Sequence, residues 1–195
     1  GAGALVITRP GSVRSTTRLE QGQNILAMGS VFDEKSRFSQ YIVKGQDNAL
    51  KGEPADSFTI KATATDNNVK RYRPLIVQSE QLTSLSDAKT RANWEATVRA
   101  AKSAKFNITV QGWRQGDGSL WQPNQLVLVY ASRIGVNGEI LITDVNYSLT
   151  SDGGSITVLS MERKDAYKPE PTVAEKTDPL IQAIKKDPGI KRGPQ

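Results

Sequence analysis

The chain has 195 residues, a length that suits one domain or a domain and a half. It contains no cysteine and no histidine, which excludes a disulfide scaffold, a thiol nucleophile, a thiolate zinc site and an iron–sulfur cluster, together with Ser-His-Asp catalysis and imidazole metal sites. With 37% hydrophobic residues and a net charge of +6, the composition points to a soluble binding or structural protein with a lean core.

The opening Gly1-Ala2-Gly3-Ala4-Leu5 lacks a basic n-region and does not read as a signal peptide. Apolar runs such as 5–7 and 126–130 fall far short of the ~20 residues that span a bilayer. Leu5-Val6-Ile7-Thr8 reads as a short strand closed by Arg9-Pro10-Gly11, and residues 24–28 as a weaker strand. Residues 37–45 alternate, with Phe38 and Ile42 expected on one face and Tyr41 and Val43 on the other. A loop rich in Gly, Asn, Asp and Pro follows at 46–56, then a strand at 58–64 and a turn at 65–68. Arg73-Pro74 leads into an extended segment, because the residue before proline avoids the α region.

The single long helix signal runs over 84–105, with Ser84 or Ser86 as cap and Asp87 in the first turn. On a helical wheel Leu85, Ala88, Ala92, Ala96 and Ala100 share one stripe, and Trp94, Val98 and Ala101 lie nearly opposite. Small residues admit a close backbone, and the bulky stripe asks for a second partner. Trp94, Val98 and Ala101 are therefore the candidate subunit or partner interface.

Beyond the helix the period changes from 3.6 to 2. Strands are expected at 106–113, 125–130, 140–149 and 155–163, with 120–124 bending between the first two. Turns fall at Asp117-Gly118, Asn137-Gly138 and 151–154. The fold expected is α+β, mainly β: a small antiparallel β-barrel with one long packed helix, plus part of a second barrel or inserted domain. Residues 168–195 hold five prolines and few apolar groups, and read as an extended tail that needs something to lie on.

No catalytic constellation emerges. Asp33-Glu34 precede a strand, and Glu139 and Asp144, odd and even on one strand, are expected on opposite faces. Asp117 and Asp152 sit in turns, and none forms a glycosidase-like pair. No phosphate loop, Rossmann fingerprint or calcium loop is present, so no catalytic residue, metal ligand or cofactor site is assigned. Trp113 and Trp121 flank the Asp117-Gly118 hairpin and read as packing residues rather than base-stacking ones. Residues 61–105 carry nine basic against four acidic groups, net +5, which leaves a barrel-type nucleic-acid-binding module as the alternative function.

Residues 33–45 (Asp-Glu-Lys-Ser-Arg-Phe-Ser-Gln-Tyr-Ile-Val-Lys-Gly), then Ala64-Thr65-Asp66, Arg71-Tyr72-Arg73-Pro74, Gly112-Trp113, and Leu120-Trp121 with Pro123-Asn124, resemble as an ordered set the baseplate hub protein of Mu-like contractile-tailed phages, the 43 kDa-type tail protein family. The likeness covers residues 1 to about 165. It implies a trimer with two similar barrels per subunit, a ring that adapts a hexameric tail tube to a trimeric central spike, much as the type VI secretion spike hub does. It implies partners in the tube, the spike and other baseplate proteins, DNA only in passage through the channel, and a place in the virion after assembly in the host cytoplasm. It implies neither catalysis nor a small-molecule substrate. On this reading residues 1–30 end an inserted α/β domain, 31–70 complete a first barrel, 71–167 form the second barrel with its helix, and 168–195 are the tail.

Overall fold

The structure, a computed structural model, describes residues 8–46, 59–79, 84–151 and 153–172. The strand expected at 5–8 lies outside them but for Thr8, as do Asp152 and the tail beyond Thr172. In chain order the elements are β1 (Val13–Arg14), β2 (Leu19–Glu20), β3 (Ile25–Phe32), β4 (Gln40–Gln46), β5 (Thr59–Thr65), β6 (Pro74–Gln78), α1 (Leu85–Lys102), β7 (Ala104–Gln111), β8 (Gln125–Ala131), β9 (Val136–Thr150) and β10 (Gly154–Glu162), followed by a 3₁₀ turn at Lys164–Tyr167. Strand thus dominates and one helix is long, as the mainly-β reading requires.

The strands make two sheets. A seven-stranded sheet runs β1-β8-β9-β10-β7-β3, with β2 also on β8, and a three-stranded sheet runs β5-β4-β6. The expected closed barrel does not form. β3 pairs antiparallel with β7 at one end, while β1 and β2 pair in parallel with β8 at the other, and among the described residues no ladder joins the two ends. β1 and β2 are two residues each, too short to carry a ladder across to β3. The sheet curls instead around a core of Leu19, Phe106, Ile108, Trp121, Val127, Val129, Ile142, Leu159 and Met161.

The sheets group the residues differently from the domain limits drawn above. β3 crosses the 30/31 limit as one continuous strand, paired to β7 over its length. The helix sits on β4 and β5, across the 70/71 limit. Hydrophobic area decides this: Tyr41, Val43, Ala62 and Ala64 on the small sheet have Ala88 and Ala92 as their cover, and all six are buried. Alanines on both sides bring helix and sheet close. Phe38 packs on this cluster with Tyr41 rather than with Ile42. Leu85, at the N-terminal end of the same stripe, is half exposed.

α1 starts where its cap predicts, Ser84 Oγ accepting from the Asp87 amide at 3.1 Å. It stops at Lys102, so residues 104 and 105 already belong to β7. The tight turn expected at Asn137-Gly138 falls earlier, as a 3₁₀ turn at Ser132–Ile134 closed by left-handed Gly135, and β9 runs straight through Gly138. Gly11 (φ +67) is held against β8, where a Cβ would come within 2.8 Å of Leu126 Cγ.

Candidate functional site

The side of α1 turned away from the small sheet faces the 3₁₀ turn Lys164–Tyr167 and the loop at 33–36, and the three enclose a cleft of about 580 Å³. Its floor is a ladder of side chains one helical turn apart. Glu95, buried, accepts from Arg91 Nη2 at 3.0 Å through one carboxylate oxygen and from Arg99 Nε at 2.6 Å through the other. The Arg91 guanidinium also lies 4.8 Å from the Trp94 ring and pairs with Glu170. Arg99 reaches over Phe38 at 5.8 Å, and Arg73 covers the same ring at 4.5 Å. Arg73 fixes the 34–37 loop by donating to the carbonyls of Glu34, Lys35 and Arg37. At the cleft wall Tyr167 donates to Glu162 at 2.9 Å, and burial together with that carboxylate pushes its phenol up to about 12.

The predicted interface residues separate. Val98 and Ala101 are 3% exposed, already covered within the chain. Trp94 is partly exposed, and its indole N–H donates to the Lys168 carbonyl at 3.0 Å. The tail's first residues thus lie along α1, held at Trp94 and at Arg91–Glu170, which supplies the support the sequence asked for at 168–170. Trp94→Ala is accordingly expected to cost about 1–2 kcal/mol, less than the 3–5 of a fully buried tryptophan, with thermal unfolding as the measurement.

The basic excess of 61–105 is not one free surface. Arg91 and Arg99 share the carboxylate of Glu95, Arg91 also pairs with Glu170, Lys105 pairs with Glu162 at 3.5 Å, and Arg73 is engaged with carbonyls. Nothing in this arrangement favours the nucleic-acid alternative. The acidic candidates do not converge either. A β-bulge leaves Thr143 out of the register with β10, between Ile142 and Asp144, which flips the strand's parity and puts Glu139 and Asp144 on the same, outward face, contrary to the alternation argument. Glu139 is taken up by Arg14 at 2.6 Å, and Asp117 by Ser119 in its own turn. Among the described residues no group of three or more acidic side chains is placed to hold a metal.

The tryptophans pack as read. Trp121 is 2% exposed in the main core, and Trp113 lies edge-on to Tyr147 with its indole N–H on the Ser148 carbonyl at 3.1 Å. Tyr147 in turn donates to the Trp121 carbonyl. Gln115 escaped the sequence reading, since a glutamine beside a turn carries no local signal of burial. Buried, it accepts from Ser15 Oγ (2.6 Å) and the Thr16 amide (3.1 Å), and it donates to the Leu120 carbonyl and Gln125, tying the N-terminal segment to the hairpin.

Over 172 residues, 85% of its length, the chain is 37% identical to the baseplate hub protein gp44 of Escherichia phage Mu. The chain resembles the Mu-like baseplate hub proteins. Residues 84–170, from α1 past the last strand, match the family described as Mu phage baseplate assembly protein GpP, fourth domain. The 43 kDa tail protein of prophage MuSo2 from Shewanella oneidensis superposes with a TM-score of 0.65 at 34% identity, covering 83% of this chain and 47% of that one. A tail protein from Neisseria meningitidis MC58 shares the fold, with a TM-score of 0.62 at 21% identity over 83% of this chain and 49% of that one. The chain spans just under half the length of these hub and tail proteins, 45% in the case of gp44.

Proposed function

We propose that this chain acts as part of a phage tail baseplate hub, a structural component of the virion rather than an enzyme. The observation that carries the reading is the 37% identity to a baseplate hub protein across 85% of the chain. The finer reading is a homotrimer: three copies form a ring that adapts a hexameric tail tube to a trimeric central spike, with other baseplate proteins around it and DNA only passing through. Two features support a scaffold role. The helix is clamped on both sides, by the small sheet and by the start of the tail. The loops near the cleft are fixed by arginines bonded to carbonyls and stacked on Phe38, which makes a rigid surface of the kind ring closure requires. Trp94, still partly exposed, is the member of the predicted trio proposed to touch a partner.

Light scattering after size exclusion tests the ring. A mass near three times 21.3 kDa is expected. A monomer at every concentration would remove the trimer from this portion of the hub.

A further inference from the structure

The segment that leaves the last 3₁₀ turn, Lys168-Pro169-Glu170-Pro171, has its backbone set by composition. Each proline fixes its own φ and drives the residue before it out of the α region, so Lys168 and Glu170 are both held extended. Lys168, at φ −61° and ψ 127°, lies close to polyproline II. Two prolines also remove two N–H groups, which makes the segment rich in acceptors and poor in donors. Lys168 turns its own donors back to the 3₁₀ turn, its amide to the Asp165 carbonyl at 3.3 Å and its Nζ to the Asp165 carboxylate at 2.9 Å. Its carbonyl meets α1.

The helix supplies donors at the matching spacing. Trp94 Nε1 donates to the Lys168 carbonyl at 3.0 Å, and the Arg91 guanidinium, 4.8 Å from the Trp94 ring, pairs with the Glu170 carboxylate. Two residues of polyproline II advance about 6 Å, and helix side chains three apart stand about 5–6 Å from each other. Segment and helix are therefore in register at both contacts. Glu95 holds Arg91 from the other side at 3.0 Å, so the cation is oriented by the chain itself. The contacts are also shallow. Lys168, Pro169 and Glu170 are exposed, whereas Ala166 of the preceding turn is buried. Polar contacts rather than apolar burial hold the segment, which can leave without unpacking the core.

We propose that Trp94 and Arg91 form a recognition site for a proline-flanked glutamate in polyproline II conformation, and that residues 168–171 are its resident, exchangeable ligand. The site follows the general mode in which an aromatic side chain reads a pre-extended proline segment, with an arginine added to select the acid. Removing the resident segment opens the site to the same sequence supplied as a separate peptide.

The Trp94 indole N–H reports the contact. It is one of three tryptophan indole signals in an NMR spectrum of the labelled full-length chain, assigned with Trp94→Phe. Pro169→Gly combined with Glu170→Lys displaces the segment. Both positions are exposed, so a native unfolding curve is expected. The Trp94 signal is expected to move in this variant, and the blocked peptide Lys-Pro-Glu-Pro-Thr is expected to return it toward its wild-type position at up to about 10 mM, the range in which a tethered segment acts. Lys-Gly-Glu-Gly-Thr is expected to bind about tenfold more weakly, because two glycines have more backbone freedom to lose than two prolines. A Trp94 signal that stays in place in the variant would overturn the proposal, since the segment would then not be what the indole holds. A signal that moves and is not restored by the peptide would overturn it too, because the contact would exist only as part of the chain. Equal binding of the two peptides would show that the site reads charge and not polyproline II. The hub reading stands under each of these results, since it rests on sequence identity and not on this contact.

Discussion

Replacing Glu95 by alanine is expected to lower the free energy of unfolding by about 3 kcal/mol. The carboxylate side chain is 6% exposed and has a guanidinium on each oxygen, from Arg91 one turn before and Arg99 one turn after. Removing it leaves two cations on one helix face with nothing between them, in a place where water reaches them poorly. Arg91 keeps Glu170 and the Trp94 ring, and Arg99 keeps Phe38 and the Ser36 carbonyl, which holds the loss toward the lower end for a broken buried pair. Glu95→Gln preserves the shape and one acceptor oxygen, and about half the loss is expected for it. Urea denaturation of the three proteins is the measurement. A loss below about 0.5 kcal/mol for the alanine variant, the range of an ordinary surface substitution, would show that the ladder contributes nothing to the fold.

What the sequence discloses is local, and what it withholds is pairing. Ser84 with Asp87 marks the start of α1 because capping is settled within four residues. The strands β7 and β10 show their alternation because one face of each meets a core. The stripe of alanines on α1 says that something comes close, but not that the something is Ala62 and Ala64, which are more than twenty residues away in the chain. β3 is weak as a sequence signal because its middle is Gly29 and Ser30, and its place beside β7 is decided by tertiary contact. Closure of the barrel was inferred from strand count, yet closure depends on the length of the end strands, and β1 and β2 are too short. At Thr143 a single extra residue reversed the facing of Asp144, which no periodicity argument anticipates. Of the predicted contact trio, Trp94 keeps a surface, touched by the start of the tail, while Val98 and Ala101 are buried within the chain, and the tail's composition gave no sign that it would lie beside Trp94.

The pair Asp66–Arg37 gives the second large effect, and one that pH can switch. Asp66, 7% exposed at its side chain, accepts from Arg37 Nε at 2.6 Å and Nη2 at 3.1 Å, and from the Asn68 amide at 3.0 Å. It thereby joins the turn after β5 to the loop before β4, and the backbone N–H of Asp66 donates to Ser39 at 3.0 Å in the same corner. The Arg37 bonds hold the carboxyl below its ordinary range; burial works against this, and the Asn68 amide adds to it. A carboxyl depressed in the folded state stabilises the fold above its unfolded value near 3.9, and that stabilisation is lost as pH falls through the folded value. Asp66→Asn keeps the size but lacks the charge, so Arg37, 14% exposed, is left without its main counter-ion. At pH 7 the variant is expected to be about 3 kcal/mol less stable than the wild type. Below about pH 4 the gap is expected to narrow, because the wild-type carboxyl takes up its proton and becomes as neutral as the amide. Urea unfolding of both proteins at pH 7, 5 and 3 follows the difference directly. A gap of constant size across that range would mean that Asp66 acts through its shape and its backbone bonds, with the ion pair to Arg37 contributing nothing.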